Sequence, residues 1–318
     1  MRLVMIGCGG MGNYQAKKFT ELGVQIVGAI DHNEEHRSGF CAAYGVPHSF
    51  ASLDDLPFFQ GKADAISCCL PDSLHAVCCK QALGLGFAVF CEKPLATSME
   101  EAASLSVQAK DLPFMVNFSK RSTPALAALK QVLEERTLGE IQQVEIAYLQ
   151  SWQKSHVWGD PQEIFRWKWR LLPSYNPGGC LSDLGSHLLD ILFLLFGTVD
   201  FEKTEKKVCD GVPLAYQATL TVGNATPCTL TCSYCDETWD DSLQLTVRGS
   251  LASASLNTSL DRKHIQFTTA GQESLPVSSP PLASAYQNFV RWVDGGVPGK
   301  PDLEDGLRVQ ALLEEMNR

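Results

Sequence analysis

Gly7-Cys8-Gly9-Gly10-Met11-Gly12 constrains this chain more than any other stretch. It fits G-x-G-x-x-G. The apolar run Leu3 to Ile6 before it reads as a strand, and Asn13 to Leu22 after it as a helix. In that setting the first glycine makes a tight turn, the second lets backbone approach a pyrophosphate, and the third allows helix–strand packing. The helix start adds free N–H groups and the positive end of its dipole. Asp31 ends the next apolar run, Val24 to Ile30, nineteen residues beyond Gly12. A carboxylate there can accept hydrogen bonds from ribose hydroxyls and repel a 2′-phosphate. The pattern points to a dinucleotide, NAD rather than NADP, with His32 and Arg37 beside the acid as the opposing influence.

The rest of the first third repeats this alternation. Ala63 to Leu70, Phe87 to Cys91 and Phe114 to Phe118 read as strands, and Glu34 to Tyr44, Ser73 to Leu85 and Ser98 to Lys110 as helices. Apolar strands separated by amphipathic helices imply a doubly wound parallel sheet, the Rossmann arrangement. After about residue 120 the pattern changes. A helix over Pro124 to Arg136 and a strand over Ile141 to Leu149 lead into an irregular segment, Ser151 to Pro177, with four tryptophans. A helix follows from about Leu181 to Phe196, then strand-like runs to Thr269, and two final helices around Ala283 to Val293 and Leu303 to Asn317. The Pro/Ser segment Pro276 to Pro281 reads as a loop. The expected class is α/β: a Rossmann domain over 1–119, then an α+β domain over 120–318 with a large, mostly antiparallel sheet.

Charge narrows the partners. Lys and Arg number 26 against 36 Asp and Glu, a net −10 with no basic run. Nucleic acid and anionic membrane surfaces are poor partners for such a surface. No apolar stretch approaches the roughly 20 residues of a membrane span, and Leu3 to Ile6 is too short for a signal-peptide core. The expected compartment is the cytoplasm, and the 12 cysteines are expected to be reduced. The CxxC at Cys232 to Cys235 lies on a strand, where residues three apart face opposite ways, so no metal site is expected.

Two further stretches carry acid–base groups. The strand ending at Cys91 runs into Glu92-Lys93-Pro94, which aims Lys93 at the crevice beyond the strand ends. An ammonium there can stabilise an alkoxide. The Lys93–Pro94 bond is a candidate cis peptide. In Gly178-Gly179-Cys180-Leu181-Ser182-Asp183-Leu184-Gly185-Ser186-His187, Asp183 and His187 are four apart and share a helix face, with Asp190 at seven. A histidine near neutral pKa can take a hydroxyl proton, and a carboxylate beside it can orient it.

Together these residues resemble the Gfo/Idh/MocA oxidoreductases, and most nearly the inositol 2-dehydrogenases and related sugar dehydrogenases within them. The likeness covers nearly the whole chain. It runs through the glycine loop, Asp31, Leu70-Pro71-Asp72-Ser73-Leu74-His75, Cys91-Glu92-Lys93-Pro94-Leu95-Ala96, Lys120-Arg121 with Pro124, Leu138-Gly139-Glu140-Ile141, Trp169-Arg170, the Asp183–His187–Asp190 helix and Glu304-Asp305-Gly306. Pro71 departs from the usual pattern before the histidine-bearing turn. The resemblance implies hydride transfer between nicotinamide and a secondary alcohol of a cyclic polyol or sugar. It implies an open-faced sheet used for oligomerisation, as a homodimer or homotetramer. It makes Lys93 and His187 the acid–base pair and Asp183 the orienting carboxylate. It places Leu70, Pro71, His75, Glu92 and Lys93 beside the cofactor, with Gly7, Gly9, Gly10, Met11, Gly12, Asp31 and His32. Trp152, Trp169 and Arg170 join the catalytic residues as expected substrate contacts, although the tryptophan-rich stretch matches no one substrate and its aromatic faces suit either a sugar ring or the core. Two alternatives stay open: a lyase or glycosidase that oxidises its sugar transiently, and a non-catalytic NAD-binding sensor.

Overall fold

The structure, a computed structural model, describes residues 1–209, 211–269 and 275–318, with the side chains of 165, 166 and 209 outside the description. It divides into two compact units, 1–118 with 284–310, and 119–283 with 311–318.

The first unit holds a six-stranded sheet of β1 (Arg2–Ile6), β2 (Gln25–Ile30), β3 (Ser49–Phe50), β4 (Ala65–Cys68), β5 (Ala88–Cys91) and β6 (Phe114–Val116). Every pairing is parallel and the order is β3-β2-β1-β4-β5-β6. Strand order therefore reverses between β1 and β4, where ligands of such sheets bind. The crossovers carry α1 (Gly10–Glu21), α2 (Glu34–Tyr44), α3 (His75–Gly84) and α4 (Met99–Ala109). The helix expected from Ser73 begins as a 3-10 turn, Asp72–Leu74, before α3. The side chains of Asn33 and Ser98 cap α2 and α4. No side chain caps α1, so its first N–H groups keep their capacity for an anion.

The second unit opens with a 3-10 turn, Ser119–Ser122, and α5 (Pro124–Glu134), capped by Thr123. Its sheet contains β7 (Ile141–Gln150), then, after α6 (Ser186–Phe196), β8 (Val199–Cys209), β9 (Val212–Val222), β10 (Thr226–Ser233), β11 (Asp241–Gly249), β12 (Ala252–Asn257), β13 (Asp261–Thr269) and β14 (Leu275–Ser278). The order is β14-β13-β12-β11-β7-β10-β9-β8, antiparallel except for β7 beside β10. Side chains alternate along each strand. Ala218, Leu220, Leu230 and Cys232 are buried, while Thr219, Thr221, Thr229 and Thr231 are half-exposed. One face thus carries the core under α5 and α6, as a period of two requires.

Two expectations change. Pro276 lies in the edge strand β14, opposite Gln266, rather than in a loop. An edge strand tolerates proline because its outward side needs no N–H donor. The C-terminal segment 284–310 groups with the first unit, not the second. Its helix α7 (Ala285–Gly295) buries Tyr286 and Phe289 in the first unit's core, their rings 5.1 Å and 6.2 Å from Phe19 and 4.9 Å and 5.4 Å from Phe90. The start of α8 (Leu303–Asn317) lies against β6, where a Cβ on Gly306 would stand 2.8 Å from Val116. That packing gives the Glu304-Asp305-Gly306 motif a structural reason.

Candidate active site

The cradle in the first unit is built by its glycines. Gly7 has φ +91°, and a Cβ there would meet the Cys69 carbonyl oxygen at 2.6 Å. A Cβ on Gly12 would stand 2.0 Å from the Gly7 carbonyl oxygen. Both are required by the turn itself. Gly9 and Gly10 differ: a Cβ on either would meet nothing within 4 Å. They and Met11 border open space at the start of α1, the place where an anion would lie. The Asn13 amide donates to the carbonyls of Cys8 and Gly9, at 2.9 Å and 3.0 Å, and holds those oxygens on the chain side. This arrangement fits a dinucleotide pyrophosphate.

Asp31 is buried and braces the loop. Its carboxylate accepts the Cys8 N–H at 2.7 Å and the Asn33 N–H at 2.8 Å. Two of its roughly four acceptor positions are thereby used, which leaves capacity for ribose hydroxyls. His32 is exposed, with Nδ1 3.5 Å from the same carboxylate. The Arg37 guanidinium donates to the Asp31 carbonyl oxygen at 2.6 Å. Burial and the Asp31 charge push the Cys8 thiol up to about 12.

Lys93 is half-buried just past β5, and the Lys93–Pro94 bond is cis. Two residues expected to touch the cofactor, Glu92 and His75, are buried next to this turn. The buried Glu92 carboxylate accepts from the Gln15 amide and, at 2.7 Å, from the Asn117 amide. The Gln15 amide in turn accepts the Ser67 hydroxyl, and Asn117 also donates to Tyr286 at 3.1 Å. His75 is fully buried and donates from Nδ1 to the Pro94 carbonyl at 2.7 Å and from Nε2 to the Leu70 carbonyl at 2.8 Å. It ties the half-buried Leu70-Pro71 turn to the Lys93-Pro94 turn. Burial alone would lower its pKa, but Cys68, Asp72 and the two carbonyls together raise it. A ring that donates at both nitrogens is the imidazolium.

In the second unit the expected α-helix begins as a π-helical turn, Leu181–Gly185, that runs directly into α6. Asp183 lies in this wider turn and His187 in the first turn of α6; both are buried. Single π turns inside helices recur at functional sites. Asp183 accepts from Arg170 Nε at 2.8 Å and from the Tyr234 hydroxyl at 2.9 Å, on the same oxygen. Burial, and then the Asp183 charge, hold the Tyr234 hydroxyl well above its ordinary pKa, so it remains a donor. Arg170 also lies over the rings of Trp169 and Trp167, at 4.4 Å and 5.4 Å. Its Nε anchors it to Asp183.

Trp152 corrects an expectation. It is 1% exposed, its ring packs on Tyr234 and Trp167 at 4.8 Å and 5.4 Å, and its N–H donates to Gln150 at 3.0 Å. It is a core residue with no face for a sugar. Trp169 is half-exposed. Asp190, the third acid of the helix, is held by Arg121 at 2.7 Å and 2.5 Å in a buried pair, a structural role.

Three residues near His187 and Asp183 escaped the sequence reading. Tyr148 on β7 lies 6.4 Å from the His187 ring, with Lys120 Nζ 4.9 Å from the Tyr148 centroid. Tyr234 just past β10 is the third. Only the inward phase of the strands signals the tyrosines, and that phase marks ordinary core equally well. Lys120 stands within the Lys120-Arg121 motif, which singles out neither residue.

Among the described residues all eleven cysteines are free. Cys232 lies 3.7 Å from Cys180, and Cys235 contacts the Ser233 hydroxyl. No helix among the described residues is long and apolar enough to cross a membrane.

Comparison with known proteins bears on both units. Residues 1–118 match the model of an oxidoreductase family with an NAD-binding Rossmann fold, and residues 126–255 match the GFO/IDH/MocA C-terminal domain. Levoglucosan dehydrogenase of Pseudarthrobacter phenanthrenivorans is 35% identical over 129 residues, which is 40% of this chain and 31% of that protein. The chain thus aligns with about a third of that relative's length. Among solved structures, levoglucosan dehydrogenase in complex with NADH and levoglucosan superposes with a TM-score of 0.88 at 20% identity, over 99% of this chain and 96% of the other. An inositol dehydrogenase homolog from Azotobacter vinelandii, complexed with NAD+, gives 0.88 at 17% identity over 100% and 94%. At these identities the superpositions establish the fold.

Proposed function

The chain belongs to the Gfo/Idh/MocA oxidoreductase family, and from that premise we propose that it is an NAD-dependent dehydrogenase acting on a secondary alcohol of a cyclic polyol or sugar. The observation that carries this reading is the fixed carboxylate in the second unit. Asp183 is buried and doubly held, one helical turn before His187. A sensor would not need a carboxylate fixed beside a histidine. The names of the relatives, levoglucosan dehydrogenase and inositol 2-dehydrogenase, support a ring-shaped polyhydroxy substrate.

NAD, when bound, supplies the two-electron acceptor. The open space at Gly9 and Gly10 would take its pyrophosphate, and the unused acceptor capacity of Asp31 its ribose hydroxyls. A 2′-phosphate would face that carboxylate, which favours NAD over NADP despite Arg37 and His32. His187 takes the proton of the reacting hydroxyl as general base. Lys93 stabilises the oxygen as negative charge develops on it. Asp183 orients the histidine or a neighbouring substrate hydroxyl, and Trp169 offers the half-exposed aromatic face. The half-exposed threonine-bearing face of the large sheet would be covered in a homodimer or homotetramer, and the protein would work in the cytoplasm.

The test is nicotinamide absorbance with a panel of inositols, aldoses, anhydrosugars and glycosides, under NAD+ and NADP+ in parallel. Reduction of NAD+ by a ring polyol or sugar, absent in Lys93→Met, is the expected result. Product formed with no net change in nicotinamide would replace this reading with internal redox recycling. NAD binding with no chemistry on any member would replace it with a sensor.

A further inference from the structure

Lys93 stands just where the pairing of β4 with β5 ends. The strands finish at Cys68 and Cys91, opposite each other in the parallel register. One residue on, the Glu92 N–H still donates to the Cys68 carbonyl at 3.0 Å. Beyond that bond the two chains are joined by a side chain. His75, the first residue of α3 and fully buried, donates to the Pro94 carbonyl at 2.7 Å and to the Leu70 carbonyl at 2.8 Å. Lys93 thus lies between two held neighbours: Glu92, fixed through its N–H and its carboxylate, and Pro94, fixed through its carbonyl. A carbonyl oxygen cannot donate, so both ring nitrogens must, and the ring carries a proton on each. Loss of either proton would aim a nitrogen lone pair at a carbonyl oxygen, and one of the two turns would be released.

We propose that His75 is the positioning residue of Lys93: a buried imidazolium that pins the Lys93-Pro94 turn to the Leu70-Pro71 turn, so that the direction of the lysine depends on one proton held away from solvent. The proposal rests on the role given to Lys93 above and adds how that lysine is held. The groups around the ring suit the charge. Asp72 lies three residues before it and is buried. A ring nitrogen and the sulfurs of Cys68 and Cys91, from β4 and β5, lie within 4.8 Å of one another. Cys78 and Cys79 follow three and four residues on, on the same side of α3. Burial opposes the charge, but Cys68, Asp72 and the two carbonyls outweigh it and hold the ring above its ordinary value of 6.5. The sign of the linkage follows: the clamp's contribution is complete below 6.5 and is lost as pH rises through the higher folded value. A histidine buried neutral would show the reverse.

The experiment compares the full chain with His75→Gln, which keeps a donor for one carbonyl and cannot bridge both. Turnover should fall roughly tenfold or more, as for a displaced catalytic group, while the KM for the sugar moves by less than about twofold. In the Lys93→Met background the same change should cost nothing further, because His75 acts through that lysine. A full additional loss there would make His75 structural only and overturn the proposal. Urea unfolding across pH supplies the second readout. The stability advantage of wild type over His75→Gln should shrink as pH rises above 6.5. An advantage that grows through that range would show a neutral ring and overturn the clamp. Where His75→Gln does not fold, nitrogen NMR of histidine-labelled wild type decides: both ring nitrogens of His75 should carry protons at neutral pH, and one bare nitrogen would overturn the proposal. Full turnover in Lys93→Met would instead sink the dehydrogenase role of that lysine, and its positioning with it, whereas the pH and NMR readouts judge the clamp without any turnover.

Discussion

Asp183 is held at one oxygen by a guanidinium and a phenol, and the two holders differ in what their loss should do. Tyr234→Phe removes one buried donor and keeps the ring that packs on Trp152. A hydrogen bond to a charged group contributes about 1.5–3 kcal/mol. Turnover should therefore fall roughly tenfold or more, with NAD affinity unchanged because that cradle lies in the first unit. Steady-state kinetics beside NAD titration would check this. Far from the site, Arg2 holds the Asp64 carboxyl below its ordinary value of 3.8. The sign follows from linkage: the contribution is present above that value and lost as pH falls through the lower folded one. Asp64→Asn should lower stability slightly near neutral pH and converge with the wild type at the acid end, flattening the acid limb of an unfolding-versus-pH curve; the difference is small because the pair is partly exposed. Side-chain roles of this kind were only half legible beforehand. Lys93, Asp183 and His187 stood out by type and spacing. That Trp152 is core, or that His75 and Glu92 face inward, depends on packing between segments far apart in the chain.

At the scale of elements, the Arg121–Asp190 pair joins the turn Ser119–Ser122 to α6, the helix that carries His187. Breaking a buried pair by removing one partner costs about 3–5 kcal/mol. Asp190→Ala should show that loss in urea unfolding. The helix α7 makes an independent case. Phe289→Ala empties a fully buried aromatic site against Phe19 and Phe90 and should cost about 3–5 kcal/mol. Calorimetry would register it as a lower Tm. Periodicity identified most elements, because the amphipathic helices and apolar strands of the first unit are strongly patterned. It could not show the π turn at Leu181–Gly185, since that segment has the composition of an α-helix. Nor could it show that α7 belongs with the first sheet, because an apolar helix face does not specify which core it covers.

For the whole molecule, the two units divide the work proposed for them. One carries an uncapped helix start, an open glycine cradle and Lys93; the other carries Asp183 and His187 in and just after a π-helical turn. The fold class was legible because the glycine fingerprint and Asp31 admit few topologies, and strand order β3-β2-β1-β4-β5-β6 is the one they imply. Substrate identity was not legible, because the shape of a pocket is set by residues far apart in the chain. The central claim is that Lys93 and His187 perform proton chemistry and do not merely hold the fold. The most direct test is turnover of Lys93→Met and His187→Ala with the best substrate of the panel, beside NAD binding by calorimetry and folding by circular dichroism. Turnover should fall by at least about a hundredfold in each variant, as for loss of a general acid or base, with NAD binding and folding intact. Near wild-type turnover in both variants would contradict it.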